Sequence, residues 1–340
     1  MKKFYLSVDI EGIWGNGNPQ YTSRHTDEYE QYRKNMIEET NLAIECLFDQ
    51  GIEEIIVNDG HGGMDNLISY ELDPRVSFIS AKGSYKELGM MEGLDLSFDG
   101  CGYVGYHTKA GTQSGNMAHT ISGAVVDKVL IKGNPVSEAQ MNTLLASYYD
   151  VPLMFIAGDD ALHRQIQEDM GDIPFVETKK SINFMTTLNC SKSELKQRYQ
   201  KVISSMMNFP GYIEEPVNTL DIVFLNERNA DFVSRIPTVE RINNKTVRLT
   251  ASNYEELYKL AKKTGADITC CNFNMYFPNK KLKIYMPFNS LPGVYTKSKA
   301  LRKLILDVSV HYFIWNKLYK RELFMERNIK FDDMYFEDIS

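Results

Sequence analysis

Two carboxylates stand two residues apart in the run Ser7-Val8-Asp9-Ile10-Glu11-Gly12, at the end of an otherwise apolar stretch, residues 4–10. As a strand, that stretch alternates its side chains between faces, so Asp9 and Glu11 point the same way and Gly12 lets the backbone turn away beneath them. Two anions this close repel unless a cation sits between them, and a divalent metal is the simplest cation to expect. Further along, His61 follows Asn58-Asp59-Gly60, His107 follows Gly105-Tyr106, and Glu138 follows Asn134-Pro135-Val136-Ser137. Hydrolytic dizinc sites need a bridging carboxylate, a few histidine and glutamate ligands, and one nearby acid or base that binds no metal. Asp9, Glu11, His61, His107 and Glu138 offer that ligand set, and His119 is the spare.

Each of these residues alone has a plainer role. His61 sits in a glycine turn, His119 reads as a half-buried polar residue, and Glu138 suits the first turn of a helix, where the dipole favours a carboxylate. Their joint occurrence tips the balance, because the chain has only six histidines and three of them close successive strand-like segments. His25, His163 and His311 have no such setting and are expected at the surface or in packing. Asp159 and Asp160 read as a helix cap with a supporting role near the site.

The elements that must hold these residues alternate between strand and helix patterns through the first half, which predicts an α/β fold, a mainly parallel sheet flanked by helices. Residues 27–48 carry a helical face of Tyr32, Met36, Ala43, Ile44 and Leu47, stopped by Gly51. Strands are expected at 55–57, 102–106, 124–131 and 151–157, with a helix opening at 135–138 under Ser137 and running to about Tyr149. Acidic and imidazole residues therefore recur where open α/β sheets place their sites, beyond the carboxyl ends of the strands.

After about residue 172 the pattern becomes mixed. A helix at 192–208 opens on the capping-box sequence Ser191 to Glu194, and strands are expected at 220–225 and 246–250. A helix at 253–264 opens on Ser252 to Glu255 and stops at Gly265; strands near 268–271 and 282–285 and a helix from about Lys297 follow. This predicts a metal-binding core over 1–170, a smaller mixed α+β subdomain over 171–265, and a C-terminal extension over 266–340.

A length of 340 residues with 43% hydrophobic and 24% charged residues supports a substantial core. The net charge of −7 disfavours nucleic-acid and anionic-membrane partners. Five cysteines, Cys46, Cys101, Cys190, Cys270 and Cys271, suggest neither a disulfide framework nor a Cys-x-x-Cys zinc site. No stretch reads as an exported leader or approaches the ~18 apolar residues of a membrane span, so a cytoplasmic location is expected.

Six ordered motifs carry a family resemblance: Ser-Val-Asp-Ile-Glu-Gly at 7–12, Val-Asn-Asp-Gly-His at 57–61, Gly-Tyr-His at 105–107, Met-Ala-His at 117–119, Asn-Pro-Val-Ser-Glu at 134–138 and Ala-Gly-Asp-Asp at 157–160. Over roughly residues 1–250 the chain resembles the bacterial D-aminopeptidases of the DppA type. The resemblance implies an enzyme with two Zn2+ per subunit that removes D-amino acids from the amino end of short peptides through a metal-activated water. It implies a homo-oligomer, with a decameric ring as the suggested form. Asp9 would bridge the metals, Glu11, His61, His107 and Glu138 would complete the shells, and His119 matches the family's catalytic position.

The last 75 or so residues resemble something else. Thr264-Gly265-Ala266-Asp267-Ile268, Cys270-Cys271-Asn272-Phe273, the run Ile314 through Phe324, and Tyr335-Phe336-Glu337-Asp338 look like an interior stretch of a family-two glycosyltransferase, with Glu337-Asp338 matching its acidic pair. The nucleotide-binding half, with its Asp-x-Asp motif, is not visible. The alternative function is therefore a glycosyltransferase-related or glycan-associated module, and no glycosyl transfer is expected from this chain alone.

Overall fold

The structure, a computed structural model, describes residues 1–266 apart from His25, Asp27 and Pro237, and the strands Phe273–Phe277 and Leu282–Met286. The chain divides into two units, Met1–Ile268 and Thr269–Ser340. In the first, Lys3–Val8 (β1), Glu54–Asp59 (β2), Ser77–Ile79 (β3), Gly100–Tyr106 (β4), Leu153–Asp159 (β7), Phe175–Asn183 (β8) and Thr186–Asn189 (β9) form one sheet in the order β3-β2-β1-β4-β7-β8-β9. Every neighbouring pair is parallel except β8 and β9. The chain winds from β1 outward to β3, then returns to the other side of β1 with β4. The winding direction thus reverses between β1 and β4, the place where open α/β sheets leave a crevice.

Val126–Ile131 (β5), Asn134–Val136 (β6), Thr219–Phe224 (β10), Val239–Arg241 (β11) and Thr246–Thr250 (β12) form a second sheet, antiparallel throughout, in the order β11-β12-β10-β5-β6. The expected strand at 124–131 therefore belongs to this sheet and not to the parallel one. In the second unit Phe273–Phe277 (β13) pairs antiparallel with Leu282–Met286 (β14).

The helices are Tyr29–Asp49 (α1), Glu138–Tyr148 (α2), Asp160–Met170 (α3), Lys192–Met206 (α4), Glu227–Val233 (α5) and Tyr254–Ala266 (α6). Strand alternation divides the core. Phe4, Leu6 and Val8 bury themselves with Met36, Ala43, Ile44 and Leu47 of α1 and with Leu195, Tyr199 and Ile203 of α4. On the opposite face Tyr5, Tyr103 and Ile156 join Leu144 and Leu145 of α2 and the second sheet's Val129, Ile222 and Val247. Each fully buried Leu, Ile or Phe contributes about 1.5–3 kcal/mol relative to exposure. The sheet that carries the site is thereby packed on both faces.

Several local expectations shift. The first strand ends at Val8, two residues short of Ile10. Asn253, not Ser252, caps α6, accepting from Glu256 N at 2.9 Å, and the helix runs through Gly265 to Ala266. Ser191 caps α4 but Glu194 turns to Arg198, so only half of that capping box forms. The short parallel strand β3 was not anticipated. The expected strand at 268–271, the helix from Lys297, and His25, His311, Cys270, Cys271, Glu337 and Asp338 lie outside the described residues. Among the described residues no helix is long and apolar enough to cross a membrane.

Candidate metal centre

Three adjacent parallel strands deliver the site. Asp9 and Glu11 follow β1, His61 follows β2 and His107 follows β4, all at carboxyl ends beside the point where the winding reverses. Past Val8 the backbone still pairs with β4, Asp9 N donating to Val104 O at 2.8 Å and Gly12 N to Gly105 O at 2.7 Å. A Cβ on residue 12 would meet Tyr106 O at 1.9 Å, so only glycine allows this close approach. Glu138 is the first residue of α2, which Ser137 and Gln140 close with a full capping box. His119 comes from the loop after β4, where Ser114, Met117 and Ile121 all take positive φ. Such backbone persists only when neighbours over-determine it. Here Phe184 O accepts from Met117 N at 3.0 Å and Glu138 Oε1 from Ile121 N at 2.7 Å.

All six expected site residues come together. The ligand atoms of Asp9, Glu11 and His61 lie within 4.8 Å of one another, as do those of His107, His119 and Glu138. Asp9 joins the two groups, with Oδ1 3.2 Å from His61 Nδ1 and Oδ2 3.5 Å from His107 Nε2.

A backbone carbonyl ties down one nitrogen of each imidazole: Thr22 O lies 3.0 Å from His61 Nε2, Thr108 O 3.0 Å from His107 Nδ1, and Met117 O 2.9 Å from His119 Nδ1. A carbonyl only accepts, so each of those nitrogens carries the proton and the other nitrogen of the neutral ring is a lone pair. His61 Nδ1 then faces Asp9 and Glu11, the latter at 3.0 Å; His107 Nε2 faces Asp9 and Glu138 at 3.5 Å each; His119 Nε2 stands 3.9 Å from Glu138 Oε1. His107 Nε2 is buried without a hydrogen-bond partner. Lone pairs aimed at carboxylates repel them, unless protons or cations intervene. Oriented imidazoles and three carboxylates are the donor set of a zinc centre, so the residues fit that metal.

The electrostatics agree. Burial disfavours charge on His61 and His107, yet the facing carboxylates outweigh it, raising His61 well above its ordinary value and His107 to about 10. Burial and the neighbouring Glu11 charge push Asp9 up to about 7. Burial opposes the carboxylates of Glu11 and Glu138, but His61 and His107 respectively hold both below the usual range. Burial and the adjacent His107 charge lower His119. Without metal, protons occupy the places that cations would take, so metal binding must release them.

The site opens on a cleft whose other wall is Met64, Met90, Ile121, Met141 and Tyr258, with Lys262 alongside. None of these wall residues stood out in the sequence. Asp159 caps α3 as expected, accepting from Leu162 N at 2.7 Å, and also accepts from Asn116 N in the His119 loop. Asp160 instead takes Ser181 N and Arg164, and His163 pairs with Glu177 at 2.8 Å away from the metal residues.

This geometry has relatives. The family model described as D-aminopeptidase matches residues 1–262. A D-aminopeptidase of Bacillus subtilis (strain 168) is 32% identical over 265 residues, covering 76% of this chain and 94% of that one. The solved structure titled "Zn-dependent D-aminopeptidase DppA from Bacillus subtilis, a self-compartmentalizing protease" superposes with a TM-score of 0.73 at 30% identity, covering 77% of this chain and 96% of the other. A cholesterol galactosyltransferase of Borreliella burgdorferi is 35% identical over 95 residues, 25% of this chain and 26% of its own length. That short match weakly supports the transferase-like resemblance of the C-terminal segment. The sheet order, the strand-end carboxylates and imidazoles, and a family match across nearly the whole first unit converge, and the chain belongs to the D-aminopeptidase family.

Proposed function

We propose that this chain is a zinc-dependent aminopeptidase that releases D-amino acids from the amino end of short peptides, using two Zn2+ per subunit. Asp9, Glu11 and His61 would hold one ion and His107 and Glu138 the other, with Asp9 shared between the two groups. The observation that carries this reading is the set of three imidazoles, each with one nitrogen fixed by a backbone carbonyl and the other turned to one carboxylate cluster. Zinc bound there supplies a water acidic enough to attack at neutral pH and positive charge for the developing oxyanion.

The chain's own residues do the rest. His119 holds its Nδ1 proton on Met117 O and keeps Nε2 free to take a proton and pass it to the departing amine. Burial keeps its ring neutral, as a base at pH 7 requires. The cleft wall of Met64, Met90, Ile121 and Met141 excludes water from the substrate's side. Self-compartmentalisation of the solved relative supports a homo-oligomer, for which we propose a decameric ring. The cysteines free among the described residues, Cys46, Cys101 and Cys190, support action in the cytoplasm.

Zinc analysis of purified, reconstituted protein with hydrolysis of D-alanine against L-alanine amides tests the reading. It requires about two zinc ions per chain and faster release of D-alanine; near-zero bound zinc, or preference for the L-amide, refutes it. The galactosyltransferase match favours a second reading for the C-terminal segment alone, a glycosyltransferase-related or glycan-associated module. Saturable nucleotide-sugar binding lost on deletion of residues 266–340 would support it, and no thermal shift with any nucleotide sugar would count against it.

A further inference from the structure

Lys179 is a lysine with 1% exposure, in the middle of β8 and far from any role in the site as described so far. Its ammonium donates to three backbone carbonyls, those of Glu11, Ile13 (3.1 Å) and Asn16. An ammonium has three protons, so the tripod uses all of them. The neighbouring Thr178 Oγ1 donates to Gly12 O at 2.7 Å. Adjacent residues in a regular strand point to opposite faces, yet these two reach the same loop. The register explains how: Gly158 pairs with Glu177 and Asp159 with Lys179, leaving Thr178 as the extra residue of a bulge.

The segment 11–16 is therefore held inside out. Its carbonyls at Glu11, Gly12, Ile13 and Asn16 turn inward to β8, while from α1 Glu39 accepts from Trp14 N at 2.7 Å and Asn35 Nδ2 donates to Asn16 Oδ1 at 3.0 Å. A six-residue loop next to a cluster of carboxylates has every reason to swing away when the cluster is unneutralised. The tripod prevents that from the backbone side, without touching the Glu11 carboxylate.

We infer that Lys179 is a positioning residue: by gathering the carbonyls of the 11–16 loop on the β8 bulge, it pre-sets the Glu11 carboxylate and so fixes the affinity of the metal held by Asp9, Glu11 and His61. The inference rests on the proposed ligand set. It predicts unequal consequences for the two metals, because the loop carries Glu11 whereas His107 and Glu138 come from β4 and α2. A general loss of stability would weaken both alike.

The test is zinc competition against a chelator on the whole chain, wild type and Lys179→Met. The expected result is that one of two zinc ions weakens by about 10–100-fold, the usual effect of losing a residue that orients a ligand, while the other keeps wild-type affinity. In a Glu11→Gln background, Lys179→Met is expected to cost no further zinc affinity, since it acts through Glu11. Wild-type affinity at both ions in Lys179→Met, or equal weakening of both, overturns the inference and leaves the dizinc reading standing. A wild-type chain that takes up no zinc overturns both. If Lys179→Met does not fold, hydrogen exchange on the wild type decides: the amides of Gly12, Trp14 and Asn16 are expected to be as protected in chelator-treated protein as in zinc-loaded protein. Protection that appears only with zinc would mean that the metal orders the loop, and the inference fails.

Discussion

On the proposed assignment, replacing His119 with alanine should separate catalysis from metal binding. The ring stacks on His107 with centroids 4.1 Å apart and planes 10° from parallel, and its Nε2 is 3.9 Å from Glu138 Oε1. Alanine removes the ring and its bond to Met117 O, but His119 N still donates to Thr108 O at 3.2 Å and Ile121 N still reaches Glu138, so the loop keeps its backbone anchors. The proposed ligand set of Asp9, Glu11, His61, His107 and Glu138 is left intact. A positioned acid or base contributes typically 10²–10⁴-fold, which at about 1.36 kcal/mol per decade is roughly 2.7–5.4 kcal/mol of transition-state stabilisation. The assay pairs kcat for a D-alanine amide with zinc content measured on the same preparation. The expected outcome is a kcat lowered about 10²–10⁴-fold with zinc content unchanged. If one zinc is lost in parallel with turnover, His119 belongs to the group of His107 and Glu138 as a ligand, and the assignment of a free acid–base is wrong.

Two further outcomes follow from the same geometry. Asp9→Asn keeps the volume but removes the charge shared by His61 and His107, so zinc content should fall from two to at most one per chain, where full occupancy at wild-type affinity would exclude a bridge. Glu39 is buried, and burial outweighs its bonds to Tyr199 and Trp14, raising its pKa from 4.5 to about 7. Between those values the native state holds a proton that the unfolded state has released, so stability falls as pH rises, by on the order of 3 kcal/mol across the window. Urea unfolding at pH 5 and pH 7.5 should show a smaller decline for Glu39→Gln than for wild type; equal declines would place the titration elsewhere.

The site was more legible than the fold around it. Carboxylates and imidazoles advertise themselves by type, and their recurrence at strand ends drew Asp9, His61 and His107 into one candidate set. What alternation along the chain did not reveal is which sheet a strand joins. β5 follows β4 in sequence and has the apolar content of a buried strand, yet it pairs antiparallel with β10, some ninety residues away. Side-chain pattern reports burial, and burial is the same in either sheet. The cleft exists because of that departure: α2, which carries Glu138, follows the hairpin of β5 and β6 before the chain returns to the parallel sheet at β7.

The features that orient the six candidate site residues were invisible for a different reason. Thr22, Thr108 and Met117 act through their carbonyl oxygens, and any residue supplies a carbonyl. Lys179 precedes Lys180, and a pair of lysines in a strand reads as a solvated edge. A single extra residue, the bulge at Thr178, decides that the first is 1% exposed beneath the Glu11 loop and the second is at the surface. A one-residue slip in register moves every later side chain of a strand to the other face, so no pattern confined to β8 can distinguish a buried tripod from a surface lysine. The distinction lies in the pairing with β7. That is why the expected weakening of one zinc in Lys179→Met discriminates so sharply: a surface lysine on the same strand, such as Lys180, has no path to Glu11, and its replacement should leave both metals untouched.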